Sequence, residues 1–93
     1  MADLTIVHAD GTTHTATFDR PGLYDYYRLI GCEMIQLINL PDGREMIINE
    51  EAKMTTGPAS ARNETATEAA RGSLMTGDWI AGTAVIQPGG TLE

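Results

Sequence analysis

The segment that most constrains the fold lies between Cys32 and Asn49, where two stretches of β-forming residues flank a Pro-Asp-Gly sequence at 41–43. Proline presets φ for the second position of a type I turn, and aspartate suits the third position. Glycine accepts the left-handed conformation that follows. The pattern predicts a β-hairpin with a glycine bulge, in which Leu40 pairs with Arg44.

Both faces of this predicted hairpin carry apolar residues. Met34, Ile38, Leu40, Met46 and Ile48 are expected on one face, and Ile35, Leu37 and Ile47, together with Glu33, Asn39 and Glu45, on the other. A strand pair without a polar face needs cover on both sides. Because only two helices are predicted to supply it, the sequence predicts a homo-oligomer, most simply a dimer.

A second hairpin is predicted between Leu4 and Phe18, with Asp10-Gly11 as a two-residue turn. In that register His8 and His14 point to opposite faces of the strand pair. These are the only two histidines of the chain, and no acidic cluster with ligand spacing accompanies them. The sequence therefore predicts no metal site.

Two short helices and one further strand complete the predicted elements. A helix is expected within Asp19–Ile30, with Leu23, Tyr27 and Ile30 as its apolar stripe. A second helix is expected within Arg62–Gly72, with Asn63 as its N-cap. The stretch Asp78–Gln87 has no charge after Asp78 and predicts a strand that is covered on both faces, with Gly82 at a bulge or close approach.

Together these elements predict an α+β fold in a single domain of 93 residues. Its core is a small, mostly antiparallel sheet of about five strands, formed by two hairpins plus a C-terminal strand, with two short helices.

Composition narrows the classes of function. The net charge of -7 argues against direct nucleic acid binding and against an anionic membrane surface. The single cysteine, Cys32, excludes an internal disulfide, and the start of the chain lacks the features of a signal peptide. No apolar run reaches the roughly 20 residues of a membrane span. We therefore expect a cytoplasmic protein.

Motifs of known catalytic chemistry are missing from the sequence. It contains no phosphate-binding glycine loop with lysine, no nucleophile elbow, no Cys-x-x-Cys and no His-Glu-x-x-His. Cys32 is interpreted as a structural thiol, because a nucleophilic role needs a histidine beside it. We expect a binding protein that needs no cofactor, not an enzyme.

The candidate site is the hydroxyl-rich segment between Thr55 and Arg71, which also includes Thr56 and Ser60. It holds two of the six basic residues, and arginine forks with hydroxyl groups suit a phosphate or the edge of a nucleobase. A tyrosine ring could stack on the base. The predicted ligand-binding residues are Arg62, Arg71, Asn63, Thr65, Thr67, Tyr24 and Tyr27. The alternative interpretation is a capped surface helix after a loop, with tyrosine rings that pack on the sheet.

The region from Ile30 to Ile86 resembles the small phage and actinobacterial family known as domain of unknown function 3846. The similar residues are Ile30–Ile35, Met46–Lys53, Asn63, Ala66–Thr67 and Asp78–Ile86. They correspond to a glycine entering a strand, an acidic turn at Glu50-Glu51, an asparagine before an alanine-threonine pair, and a final isoleucine-x-glycine strand. The resemblance implies a phage or mobile-element origin but no mechanism, because the family has no established activity.

Two functions are compatible with these observations. In the first, an oligomer acts as an anti-defence sponge that sequesters a small nucleotide signal of the host. In the second, the chain is an acidic protein-interaction module that inhibits a host protein or mimics DNA. The partner is accordingly a small nucleotide or a host protein.

Overall fold

The computed structural model describes residues 2–54 and 60–91. Its strands and helices are β1 Ala2–Val7, β2 Thr13–Phe18, α1 Leu23–Ile30, β3 Ile35–Asn39, β4 Glu45–Asn49, α2 Glu64–Ala70 and β5 Ala84–Gln87. Short 3-10 turns lie at Ala52–Met54 and Arg71–Ser73. The strands form one antiparallel open sheet in the order β2-β1-β5-β4-β3. The predicted α+β fold is confirmed.

The β3–β4 hairpin has the predicted register. Leu37 pairs with Ile47 and Ile38 with Met46, and the Leu40 N–H donates to the Arg44 carbonyl at 2.8 Å. Gly43 has φ of 92°, the left-handed conformation that the bulge requires.

The β1–β2 hairpin departs from the prediction of a two-residue turn. His8 N–H donates to the Thr12 carbonyl, and Gly11 has φ of 93°. The connection is therefore a type I turn followed by a left-handed glycine, which adds one residue to the loop. Because one extra residue reverses the facing of a strand, His8 and His14 lie on the same face, with ring centroids 5.1 Å apart. The prediction of opposite faces is wrong.

The two helices cover opposite faces of the sheet. Ala66 and Ala70 of α2 pack with Val7, Met46 and Ala84, whereas Tyr26 of α1 packs with Leu4, Ile6, Ile47 and Val85. Alternate residues of one strand point to opposite faces, so Met46 and Ile47 meet different helices. The result is three layers, with the sheet between α1 and α2.

Helix α1 buries a stripe that shares Ile30 with the predicted one but is centred on Tyr26. Tyr26 is fully buried and Leu29 and Ile30 pack beside it, whereas Leu23 is half exposed. The Tyr26 hydroxyl donates to Gln87 Oε1 at 2.5 Å, which fixes the helix rotation. Both stripes have helical spacing, and a buried hydrogen-bond partner distant in sequence decides between them.

The C-terminal strand is shorter than predicted. Only Ala84–Gln87 is β-strand, and all four residues are buried. Gly82 has φ of 75° and interrupts the extended chain. As a result Trp79 and Ile80 precede the sheet: Ile80 reaches the α2-side core, while Trp79 remains partly exposed.

Candidate functional site

The structure does not bring the seven predicted ligand-binding residues together. Tyr24 and Tyr27 lie on α1, on one side of the sheet, with Tyr24 80% exposed. The other five lie on or beside α2, on the opposite side. A tyrosine of α1 therefore cannot stack on a base that is held at α2. Thr55 and Thr56, which the hydroxyl-rich segment includes, lie outside the described residues.

Both candidate arginines already have carboxylate partners. Arg62 Nε lies 2.6 Å from Glu64 Oε1, and Arg71 Nη2 lies 2.6 Å from Glu68 Oε2. The hydrogen bond from Arg71 lowers the pKa of the Glu68 carboxyl, and its positive charge adds to this effect. These pairs are exposed and worth little individually. They nevertheless reduce the positive potential that a phosphate would meet.

Asn63 and Thr67 have structural roles. The buried Asn63 side chain accepts from Ala66 N–H at 3.0 Å, which confirms the N-cap, and donates to the carbonyls of Val7 and Gly82. The Thr67 hydroxyl donates to the Asn63 carbonyl and accepts from Ile80 N–H, both within 2.8 Å. Their hydrogen-bonding capacity is therefore directed to the fold. Thr65 is exposed on α2.

One small cavity of about 190 Å³ has both Thr67 and Arg71 in its lining. Ligand pockets usually measure about 300–1,000 Å³, so this cavity is small for a nucleotide. Neither a tyrosine nor Arg62 lines this cavity. The predicted nucleotide site is therefore only partly assembled.

A groove with several apolar residues in its lining lies on the α2 side of the sheet. Its volume is about 240 Å³, and it lies between the β3–β4 hairpin and the segment from Ser73 to Ala81. Its apolar lining consists of Ile38, Ile48, Leu74, Met75, Trp79, Ile80 and the alanines at 52 and 81. The Met75 side chain is 83% exposed at the groove. Flexible methionines at an open apolar surface are typical of binding surfaces that adapt to a partner.

Trp79 connects the groove to nearby charges. The Lys53 ammonium lies 4.5 Å from the centroid of its ring, and the Arg62 guanidinium lies 5.8 Å from it. Lys53 also pairs with Asp78. Cation–π contacts and the ion pair position the indole, the only one in the chain, at the wall of the groove.

The groove adjoins the outer edge of β3. Within the part of the chain that the structure describes, β3 is the last strand of the sheet. Its residues Ile35 to Asn39 include no lysine or proline, the residues that commonly protect an edge from pairing with another chain. This edge therefore offers backbone hydrogen-bonding groups beside an apolar surface.

Three glutamates lie near the residue where β3 begins. Glu50 N–H donates to the Met34 carbonyl at 3.1 Å, which brings Glu50 and Glu51 close to Glu33. All three side chains are exposed, and none forms an ion pair with another described residue. Glu50 also lines the groove, and because the Lys53 of the groove is paired with Asp78, Glu50 adds a negative charge there.

Sequence reasoning missed the groove, because its walls come from distant segments. Ile38 and Ile48 were predicted on one face of the hairpin, but the pattern predicted Trp79 inside a covered strand. The usable signal was the apolar pair Leu74-Met75, which follows the α2 helix without any strand or helix pattern of its own.

Metal-ligating side chains are not clustered within residues 2–54 and 60–91. No group of three histidine, cysteine, aspartate or glutamate side chains there could hold a metal ion. Burial raises the pKa of the Cys32 thiol, which disfavours the reactive thiolate. Neither described helix has the length and apolar character needed to cross a membrane.

Comparisons with protein families, with curated proteins and with solved structures found no match to the chain. The resemblance to domain of unknown function 3846 stays a prediction.

Proposed function

We propose that this chain is a small binding protein that recognises another protein, and that the groove beside β3 is its binding site. The observation that carries the proposal is a groove of about 240 Å³ whose lining combines apolar and polar residues, next to an edge strand without lysine or proline. An extended segment of a partner can use both features together, apolar side chains in the groove and backbone at the edge.

The charge of the site selects a basic partner. The chain carries a net charge of -7, and Glu50 lines the groove, with the exposed Glu33 and Glu51 near it along the backbone. The lysine of the groove, Lys53, is paired with Asp78. Opposite charges at the rim of an interface accelerate association and discriminate against acidic partners. The proposed partner segment is therefore extended, with apolar residues and at least one lysine or arginine.

The proposal corresponds to the protein-interaction alternative from the sequence. The resemblance to a phage family supports a host protein as the partner, and the single cysteine supports action in the reducing cytoplasm. Sequestration of a nucleotide is the weaker candidate, because its predicted residues are divided between two faces of the sheet.

The test is a selection of short random peptides on the wild-type chain, followed by calorimetry with the enriched peptide. Met75→Glu should weaken its binding about tenfold, equivalent to about 1.4 kcal/mol, because a charge replaces an apolar contact in the groove. Met54→Glu is the matched control. Met54 is 81% exposed and is not among the groove residues, and the substitution changes the net charge equally.

Three results would contradict the proposal. The first is that the selection enriches no peptide. The second is that Met75→Glu and Met54→Glu both bind the enriched peptide as tightly as the wild-type chain does. The third is that nucleotides raise the melting temperature and Arg71→Ala abolishes this effect, which would establish the nucleotide sponge instead.

A further inference from the structure

We infer that the partner segment binds as a sixth strand on the outer edge of β3, hydrogen-bonded to Ile35 and Leu37. This inference rests on the proposed function and adds the mode of recognition. Its basis is the direction of the backbone groups along β3, the position of Ser73 and the charges where the strand begins.

The hydrogen-bond register identifies which groups of β3 face outward. Leu40 N–H donates to Arg44, and the Met34 carbonyl accepts from Glu50 N–H. In an antiparallel pair, residues that bond to the neighbouring strand alternate with residues whose N–H and C=O point away from it. The even-numbered residues of β3 therefore bond to β4, whereas Ile35 and Leu37 present their backbone groups to the free edge.

One end of this edge is closed and the other is open. Ser73 Oγ donates to the carbonyl of Asn39, the next outward-facing residue, at 2.5 Å. The chain around Ser73 thus covers the Asn39 end, whereas no other described residue outside the strands hydrogen-bonds to the backbone of Ile35 or Leu37. At the other end Glu50, which lines the groove, provides a position for a basic side chain of the incoming strand.

The side chains beside this edge provide the apolar part of recognition. Ile38 faces the groove on the α2 side, and Ile35 and Leu37 face the α1 side, all three being only partly buried. An added strand would cover both sets, since its own residues alternate between the two faces.

The opposite edge of the sheet lacks these features. By the same register Thr13, Thr15 and Thr17 of β2 direct their backbone outward, and all three side chains are exposed and polar. None of these three threonines lines the groove beside β3; a separate polar cavity of about 500 Å³ lies past the end of β2, with Asp19 and Arg20 in its lining. Strand β2 therefore serves as an internal control.

A second copy of the chain is the competing occupant, as the predicted dimer requires. Two copies would bring together two net charges of -7. Like charges at an interface disfavour association. A basic peptide removes this repulsion, so charge favours a partner of different sequence.

The test is amide hydrogen exchange by NMR, on the intact chain, with and without the synthetic form of the enriched peptide. Exchange at Ile35 and Leu37 should slow at least tenfold when peptide is bound, because a new hydrogen bond protects these amides. Gln36 and Ile38 should be protected in both states. The amides of Thr13, Thr15 and Thr17 should not change.

The outcomes separate the inference from the proposed function. If the peptide binds but Ile35 and Leu37 exchange as before, strand addition is wrong while protein recognition stands. If no peptide binds, both fail. If these amides become protected without peptide as protein concentration rises, and light scattering shows twice the 10.0 kDa mass, a second copy occupies the edge and the inference is overturned.

Neutralising the glutamates near the start of β3 tests whether they bind the basic side chain of the peptide. The double variant Glu50→Gln/Glu51→Gln should weaken peptide binding about two- to fivefold at low salt, and less at high salt. The double variant Asp3→Asn/Asp19→Asn changes the net charge equally on residues outside the groove and should have a smaller effect. Equal effects would show that only the overall charge matters and would refute the placement of the basic side chain.

Discussion

Substitution of Asn63 by alanine should destabilise the fold strongly, although this residue was predicted to contact a ligand. Its side chain is fully buried and connects α2 to β1 and to the segment before β5. Loss of the N-cap costs about 1 kcal/mol. Each of the two carbonyls that loses its donor adds about 1 kcal/mol, at the low end for buried groups. The expected total is about 3 kcal/mol.

That cost is large for a chain of 93 residues, whose total stability should be about 5–14 kcal/mol. The assay is a urea titration followed by circular dichroism. Asn39→Ala is the matched control, because Asn39 is exposed and its side chain makes no hydrogen bond to another described residue. It should change the unfolding free energy by less than about 0.5 kcal/mol.

A loss below about 1 kcal/mol for Asn63→Ala would refute the structural role. If the same variant also lost binding of a nucleotide, Asn63 would be a ligand-binding residue, as the sequence predicts.

Further predictions concern the core and the response to pH. Ile86→Ala should cost about 2–5 kcal/mol in a urea titration, because Ile86 is buried on the central strand β5; a cost below about 1 kcal/mol would contradict this position. Tyr26→Phe should cost about 1–3 kcal/mol, since Gln87 loses its buried donor; a neutral result would show that the bond adds nothing. Burial raises the pKa of Tyr26, with the Glu45 carboxylate adding to the shift, so the contribution of this tyrosine to stability should be present below about pH 10 and be lost above it. Hydrogen bonding to Gly22 N–H, followed by Arg28, lowers the pKa of Asp25. Its contribution should therefore be present above about pH 4 and be lost as the solution becomes more acidic, and Asp25→Asn should remove this part of the acid dependence.

Local turn chemistry explains what could be predicted of the fold. Pro-Asp-Gly at 41–43 determined both the turn and the register of β3 and β4, and the two apolar faces followed from that register. Asn63 was recognisable as an N-cap because its side chain bonds to an amide three residues later. In both cases the deciding contacts are local in sequence.

The errors occurred where a distant contact or one residue of loop length decided the outcome. Asp10-Gly11 fits either a two-residue or a three-residue hairpin loop, and the choice reversed the facing of His14. The rotation of α1 depends on Gln87, which is 61 residues away from Tyr26. The extent of β5 depends on the left-handed conformation of Gly82.

The candidate site was the least predictable part for the same reason. Arg62 and Arg71 resemble ligand-binding residues in sequence, but their nearest partners are glutamates of the same helix region. The groove joins β3, β4 and the segment after α2, and no single stretch of sequence contains its pattern.

Fluorescence of Trp79 tests the central claim most directly, because this residue is the only tryptophan of the chain and it lines the groove. Titration with a basic, apolar peptide enriched on the wild-type chain should shift its emission to shorter wavelength in a saturable manner, as the indole leaves water. The shift should require higher peptide concentration in Met75→Glu and should be unchanged in Met54→Glu. A peptide that binds by calorimetry but leaves Trp79 emission unchanged would show that the groove beside β3 is not the binding site.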